Sequence, residues 1–229
     1  MDEKKYFYLL QVNDALFPIG GYSHSYGLET YIQKGIVRDT KTAGEFIDKR
    51  IRYSLLYNEI LFVRLAFESA CEKNVDRLRE LEELFLALKA PREVREAGKK
   101  LGSRFVKTVQ AAKPPYVLHI FKKYCTEGRG RSCHTIAYGV FCADLGLSLE
   151  ETLKHYLYSQ VSAIVTNCVK AIPLSQTDGQ RLLAGQYPLL CEVLERVKQL
   201  PEECLGSGMP GFDIRCMQHE GLYSRIYMS

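Results

Sequence analysis

The chain has 229 residues, 46% of them apolar and 25% charged, with a net charge of +4, fifteen tyrosines and no tryptophan. That length can bury a substantial core without covalent or metal staples. A surplus of four positive charges reads as a solvated surface, whereas nucleic-acid binding needs basic residues gathered on one face, and the one dense basic loop of the sequence is short. Eight cysteines occur without a Cys-x-x-Cys pair, and the N-terminal Asp2, Glu3, Lys4 and Lys5 are followed by no apolar secretory core. The expectation is free thiols in a reducing, cytoplasmic compartment, with no bilayer-spanning segment.

The first element, residues 10–29, starts as an apolar helical turn, breaks at Pro18, passes Gly20 and Gly21, and restarts towards Leu28 and Glu29. Proline fixes φ and removes a donor, while glycine permits backbone angles and close approaches that a Cβ would block. Such a turn can gather Asp14, Ser23, His24 and Ser25. Further on, Thr42 and Glu45 have capping-box spacing and precede a helical stripe of Phe46, Ile47, Ile51, Leu55 and Leu61. Asn74 is placed to cap a helix carrying Leu78, Leu81 and Phe85. Pro91 opens another, with Val94, Ala97, Leu101, Phe105 and Val109 recurring at three or four residues.

Pro114 and Pro115 break the pattern again. A short amphipathic piece over 117–124 leads to a loop containing Arg129 and Arg131. A small-residue helix over 134–145 stops at Gly146, and Ser148 with Glu151 forms a second capping box. The long helix after it, bearing Leu157, Val161, Val165 and Cys168, is apolar on more than one side and is expected at the centre. Pro173 ends it, a helix follows over 177–185, and Pro188 starts another. No strand alternation or internal repeat appears. The expected fold is all-α: a single domain of roughly eight to ten helices over residues 1–203, with a flexible C-terminal docking tail over 204–229.

No complete catalytic constellation is present. His24 lies between Ser23 and Ser25, but there is no Gly-x-Ser-x-Gly elbow. Cys133 follows the arginine-bearing loop, which could lower a thiol pKa. A small serine or thiol hydrolase using His24 with Ser23 or Cys133 is therefore the alternative reading, and a nucleic-acid binder using Arg129 and Arg131 a third. Metal ligands lack preset spacing, although His24, Cys216 or His219 could meet across a dimer. No phosphate loop of the Gly-x-x-x-x-Gly-Lys-[Ser/Thr] type occurs. The tail carries Phe212, Ile214, Met217, His219, Tyr223, Arg225, Ile226 and Tyr227, a composition too apolar for a solvated terminus, so it should dock on its own body or on a partner.

Gln11, Asp14, Phe17, Pro18, Gly20, Gly21, Tyr22, His24, Ser25, Gly27, Leu28 and Glu29 closely resemble the N-terminal signature of the urease accessory protein family UreF. His219, Glu220, Tyr223, Ser224, Arg225 and Ser229 are similar to the family's tail. Tyr22 and Tyr26 depart modestly from the first signature, and Ile226-Tyr227 stands where Leu-Phe is common. Ser175 stands where the family's Pro-Leu-Gly-Gln has glycine. The resemblance implies a maturation factor and not an enzyme: a homodimeric all-α adaptor between a scaffold protein (UreD, or UreH) and a GTPase (UreG), modulating the GTPase during GTP-dependent nickel insertion into apo-urease. It implies no tightly bound cofactor, nickel handled only indirectly, and neither nucleic acid nor membrane as partner. The eight tail residues named above would bind partners. Asp14, Phe17, Pro18, Gly20, Gly21, His24, Ser25 and Glu29 would form a structural turn and interface.

Overall fold

The computed structural model describes residues 3–127, 132–208 and 210–229. Arg129 and Arg131, on which the nucleic-acid reading rested, lie outside the described residues. Among the described residues there are twelve α-helices and no strand. They are α1 (Glu3–Asn13), α2 (Leu28–Gln33), α3 (Thr40–Arg50), α4 (Leu61–Cys71), α5 (Val75–Leu88), α6 (Arg92–Ala112), α7 (Ile120–Glu127), α8 (His134–Asp144), α9 (Leu149–Ala171), α10 (Gln176–Gly185), α11 (Tyr187–Gln199) and α12 (Pro210–His219). The all-α expectation holds. α12 falls inside the segment assigned to the tail, and Phe212, Cys216 and His219 on it are buried.

α3 runs without a break through a π-helical segment, Ile51–Ile60, into α4. The π turns have a consequence for charge. Residues nine apart on an α-helix are about two and a half turns apart and face opposite ways. The wider i→i+5 winding brings them back to one side. Arg50 and Glu59 thus meet at 3.9 Å in the interior, where Lys89 donates to the same carboxylate oxygen at 2.7 Å and Arg50 also bonds Ser54.

The centre of the core is α8 and not α9. Every residue from Thr135 to Asp144 is buried, and α8 packs along α4 so closely that a Cβ on Gly139 would lie 2.7 Å from the Val63 carbonyl oxygen. α9 is buried over only part of its surface, with Lys154, Tyr158, Thr166 and Lys170 exposed. At the end of α8 the buried Asp144 carboxylate accepts from the amides of Leu118, His119 and Phe121 at 2.7–2.8 Å, and so seats the start of α7. Capping follows the predicted chemistry with one shift. Asn74 and Ser148 cap as expected, but the box before α3 is Asp39 with Thr42, one turn earlier than Thr42 with Glu45. The Asp39 carboxylate reaches the Thr42 amide at 2.8 Å, which leaves Thr42 inside the first turn. Ser175 makes a third box with Asp178, and its extended backbone (φ −74°, ψ 158°) has no need of the family's glycine. No helix among the described residues is long and apolar enough to cross a membrane.

Candidate functional site

The two signature segments, at opposite ends of the sequence, come together over α6. The first leaves α1 in a tight turn. Asp14 is exposed and its side chain accepts from the Leu16 amide at 2.7 Å, while its carbonyl accepts from Phe17 at 2.9 Å. Phe17 sets its ring edge-on to Phe105 of α6, 6.0 Å between centroids. Pro18 is exposed and leads the chain on towards Gly20, which has φ +82° and lies against the Arg104 guanidinium. Gly21 differs from expectation: apart from its chain neighbours, no atom of the described residues stands within 4 Å of where its Cβ would be, so no contact among them demands glycine there. A 3-10 turn over Gly21–Ser23 follows. Gly27, at φ +82°, then presses on α12; its Cβ would meet Cys216 Sγ at 2.9 Å and the Cys216 amide nitrogen at 3.1 Å. Only glycine satisfies both the angle and the contact.

The last residues of the chain thread into this turn. The amides of Ser25 and Tyr26 donate to the Ser229 carbonyl oxygen at 2.5 and 2.9 Å, and Ser25 Oγ donates to it at 2.8 Å. Met228 N donates to Ser23 O at 2.8 Å, and His24 Nδ1 lies 2.8 Å from Ser229 Oγ. Asn167 of α9 holds the His24 carbonyl from behind. Burial, then the nearby charges of Lys100 and Arg104, push the His24 pKa below its ordinary value.

A second set of contacts anchors the tail one turn of chain further back. Glu29, buried, accepts from the amides of Ile226 (2.7 Å) and Tyr227 (3.0 Å). The fully buried His219 bridges Glu29 Oε2 at 2.9 Å and Glu93 Oε2 at 2.7 Å. Arg225 closes the row on Glu93 Oε1 at 2.7 Å. Thr30 donates to the Arg215 carbonyl, and Arg50 stacks over Phe212 at 4.0 Å. Sequence reasoning named Glu29, His219 and Arg225 but missed Glu93, the α6 carboxylate that joins them. No local pattern marks it.

The eight tail residues divide into two sets. Phe212, His219 and Tyr227 are buried in the chain's own body, and Arg225 is engaged with Glu93. Ile214, Met217, Tyr223 and Ile226 point outward; Ile226 is 76% exposed and Tyr223 fully so. The extended end alternates in the manner of a strand, with Ile226 and Met228 outside and Tyr227 and Ser229 inside. The Tyr227 hydroxyl is buried without a hydrogen-bond partner among the described residues.

The dyads of the hydrolase alternative are not assembled. Ser23 Oγ donates to Gly20 O, and His24 is engaged with Ser229. Cys133 is buried beside Glu82, and burial together with that carboxylate raises its thiol far above the ordinary value. Cys216 is likewise pushed up to about 12 by burial. Among the described residues no group of three or more His, Cys, Asp or Glu is arranged to hold a metal ion. A cavity of about 90 Å³ lies behind the turn, its mostly apolar wall interrupted by His24, Arg50, Glu59, Lys89 and His134.

Among the described residues the protein is thus a helical, strand-free body whose N-terminal signature and C-terminal segment are tied together by polar signature residues, with apolar side chains of that segment facing solvent. Comparison with known proteins gives the particular family. The UreF family model matches residues 37–186. Over 221 residues, 96% of this chain, the sequence is 38% identical to the urease accessory protein UreF of Haemophilus influenzae, covering 94% of that protein. It is 35% identical to the UreF proteins of Bacillus sp. (strain TB-90) and Actinobacillus pleuropneumoniae, covering 97% of each. The chain belongs to the UreF family of urease accessory proteins.

Proposed function

We propose that this protein is a cytoplasmic adaptor in urease maturation, joining a scaffold protein of the UreD/UreH kind to a GTPase of the UreG kind while nickel is inserted into apo-urease. It has no chemistry of its own to perform on the metal; nickel is cargo, handled by the assembled complex. The adaptor works as a homodimer and modulates the partner's GTP hydrolysis. The observation that carries this reading is the division of the tail. Buried polar anchors hold an extended segment in place, and that segment turns Tyr223, Ile226 and Met228 to solvent. Pre-ordered aromatic and aliphatic side chains of this kind lower the entropy lost on binding.

The test is co-expression with the two partners and apo-urease, followed by size-exclusion chromatography and a nickel-dependent urease assay. Tyr223→Ser with Ile226→Ser should leave the isolated chain folded and abolish co-elution with the scaffold. Undiminished co-elution and urease activation would contradict the reading. Deleting residues 212–229 is a poorer test, because it strips Phe212, Cys216 and His219 from the core.

A further inference from the structure

The charge of this chain is concentrated on one helix. α6 carries Arg92, Arg95, Lys99, Lys100, Arg104 and Lys107 against only Glu93 and Glu96. Its first turns are compensated: Arg92 pairs with Glu220, Lys99 with Glu96, and Glu93 with Arg225 and His219. Its later turns form no ion pair among the described residues, although Lys100 feels the charge of Glu96 one turn back. Lys100, Arg104 and Lys107 are exposed and follow one another at helical spacing on one face. Among the described residues Lys100 and Lys107 have no ion-pair or hydrogen-bond partner, and Arg104 donates only to the neutral Ile19 carbonyl at 3.3 Å. The field of Lys100 and Arg104 reaches inward far enough to act on buried His24. Beside the strip stands Leu16, 90% exposed at the tip of the turn that Phe17 pins to α6. Asp14, the turn's acidic residue, is turned onto the Leu16 amide.

We propose that Lys100, Arg104 and Lys107, with Leu16 as an apolar knob, form a docking surface for an acidic face of the scaffold-type partner that also covers the tail. The inference rests on the adaptor reading above and adds to it where, and by what chemistry, that partner extends. Two arguments select this occupant. The first is charge: three exposed cations in a row, without an ion pair among the described residues, call for carboxylates, and an exposed leucine beside them calls for a protein recess, which a nucleic-acid backbone does not offer. The second is distance. Glu93, which anchors the tail, and Lys107 lie on the same helix, about 21 Å apart at 1.5 Å per residue. A standard interface of roughly 800 Å² per partner spans that separation. At helical spacing Glu93, Lys100, Arg104 and Lys107 share one face of α6, so a partner of that footprint covering the tail anchor at Glu93 reaches the strip.

The experiment measures association and dissociation rates between the full chain and the purified scaffold partner at low and high salt. The charge-reversed variant Lys100→Glu/Arg104→Glu/Lys107→Glu is expected to associate at least about tenfold more slowly at low salt, with a flattened salt dependence. Leu16→Ser should shorten the lifetime of the complex about fivefold without changing the salt dependence. Circular dichroism checks folding, and Lys100→Gln and Lys107→Gln singly replace the triple variant if it does not fold. Wild-type chain that binds the partner, with variants that match it in rate and salt dependence, overturns the inference and leaves the adaptor reading standing. Wild-type chain that does not bind the partner overturns both. Salt-sensitive binding of duplex DNA that the triple variant loses, with partner binding unaffected, assigns the strip to a polyanion and overturns the inference.

Discussion

The α4–α8 contact and the terminal latch are held together by different physics. Between α4 and α8 the side chains are apolar, the helices touch at Gly139, and the attraction is non-directional. At the latch a row of carboxylate, imidazole and guanidinium groups fixes an extended strap through directional bonds, with apolar groups left outside. A core of the first kind sets how much the whole domain is stabilised. A latch of the second kind sets where one segment sits and can open without the rest. On the function proposed above, the residues that would face a partner sit on the strap, in keeping with the way binding segments are drawn from the less stable parts of proteins.

Substitutions should separate the two regions. Phe141→Ala, at a fully buried position on α8, should cost about 4 kcal/mol of global stability in urea titration; a loss confined to the tail would contradict the division. Glu82, buried between α5, α7 and α8, has its carboxyl pushed up to about 7 by burial, against the hydrogen bonds from Tyr124 and Cys133. The folded state thus holds this proton more tightly than the unfolded state. The stability it contributes is complete below pH ~4.5 and is lost as pH rises through ~7, about 3 kcal/mol at most. Glu82→Gln should remove that fall, measured as urea midpoints across this range.

Glu29→Gln acts on the latch. It removes the charge that accepts two amides and faces His219, and should free the tail at a cost of about 2 kcal/mol, seen as faster hydrogen exchange after residue 222 with core protection unchanged. Arg225→Ala should change stability by less than about 1 kcal/mol, because the ion pair with Glu93 is more than a third exposed on the arginine side. Tyr227→Phe should be neutral or stabilising by up to about 1 kcal/mol, since the hydroxyl it removes is buried without a partner among the described residues. A clear destabilisation would show that the hydroxyl is engaged.

Punctuation was legible in the sequence, and tertiary pairing was not. Proline, glycine and capping residues act within one turn of chain, so the ends of α5, α8 and α9 could be read from Asn74, Gly146 and Ser148. The cap of α3 was misplaced because Thr42 fits two adjacent boxes, and only the Asp39 carboxylate decides between them. Centrality was misread for a similar reason. α9 is longer and bears more branched residues, but the small residues of α8 let α4 approach, and closeness of approach leaves no periodic trace. The latch residues Glu29, His219 and Arg225 were legible as signature positions. Their meeting was not, because Glu29 and His219 are 190 positions apart and their shared partner Glu93 lies in an ordinary amphipathic helix.

Amide hydrogen exchange on the purified chain, without any partner, tests the central claim most directly. If the tail is latched as described, the amides of Ile226, Tyr227 and Met228, which donate to Glu29 and Ser23, will be protected well above an unstructured segment. Glu29→Gln will abolish that protection at Ile226 and Tyr227 while α8 stays protected. Exchange of all three amides at unprotected rates in the wild-type chain would contradict the account.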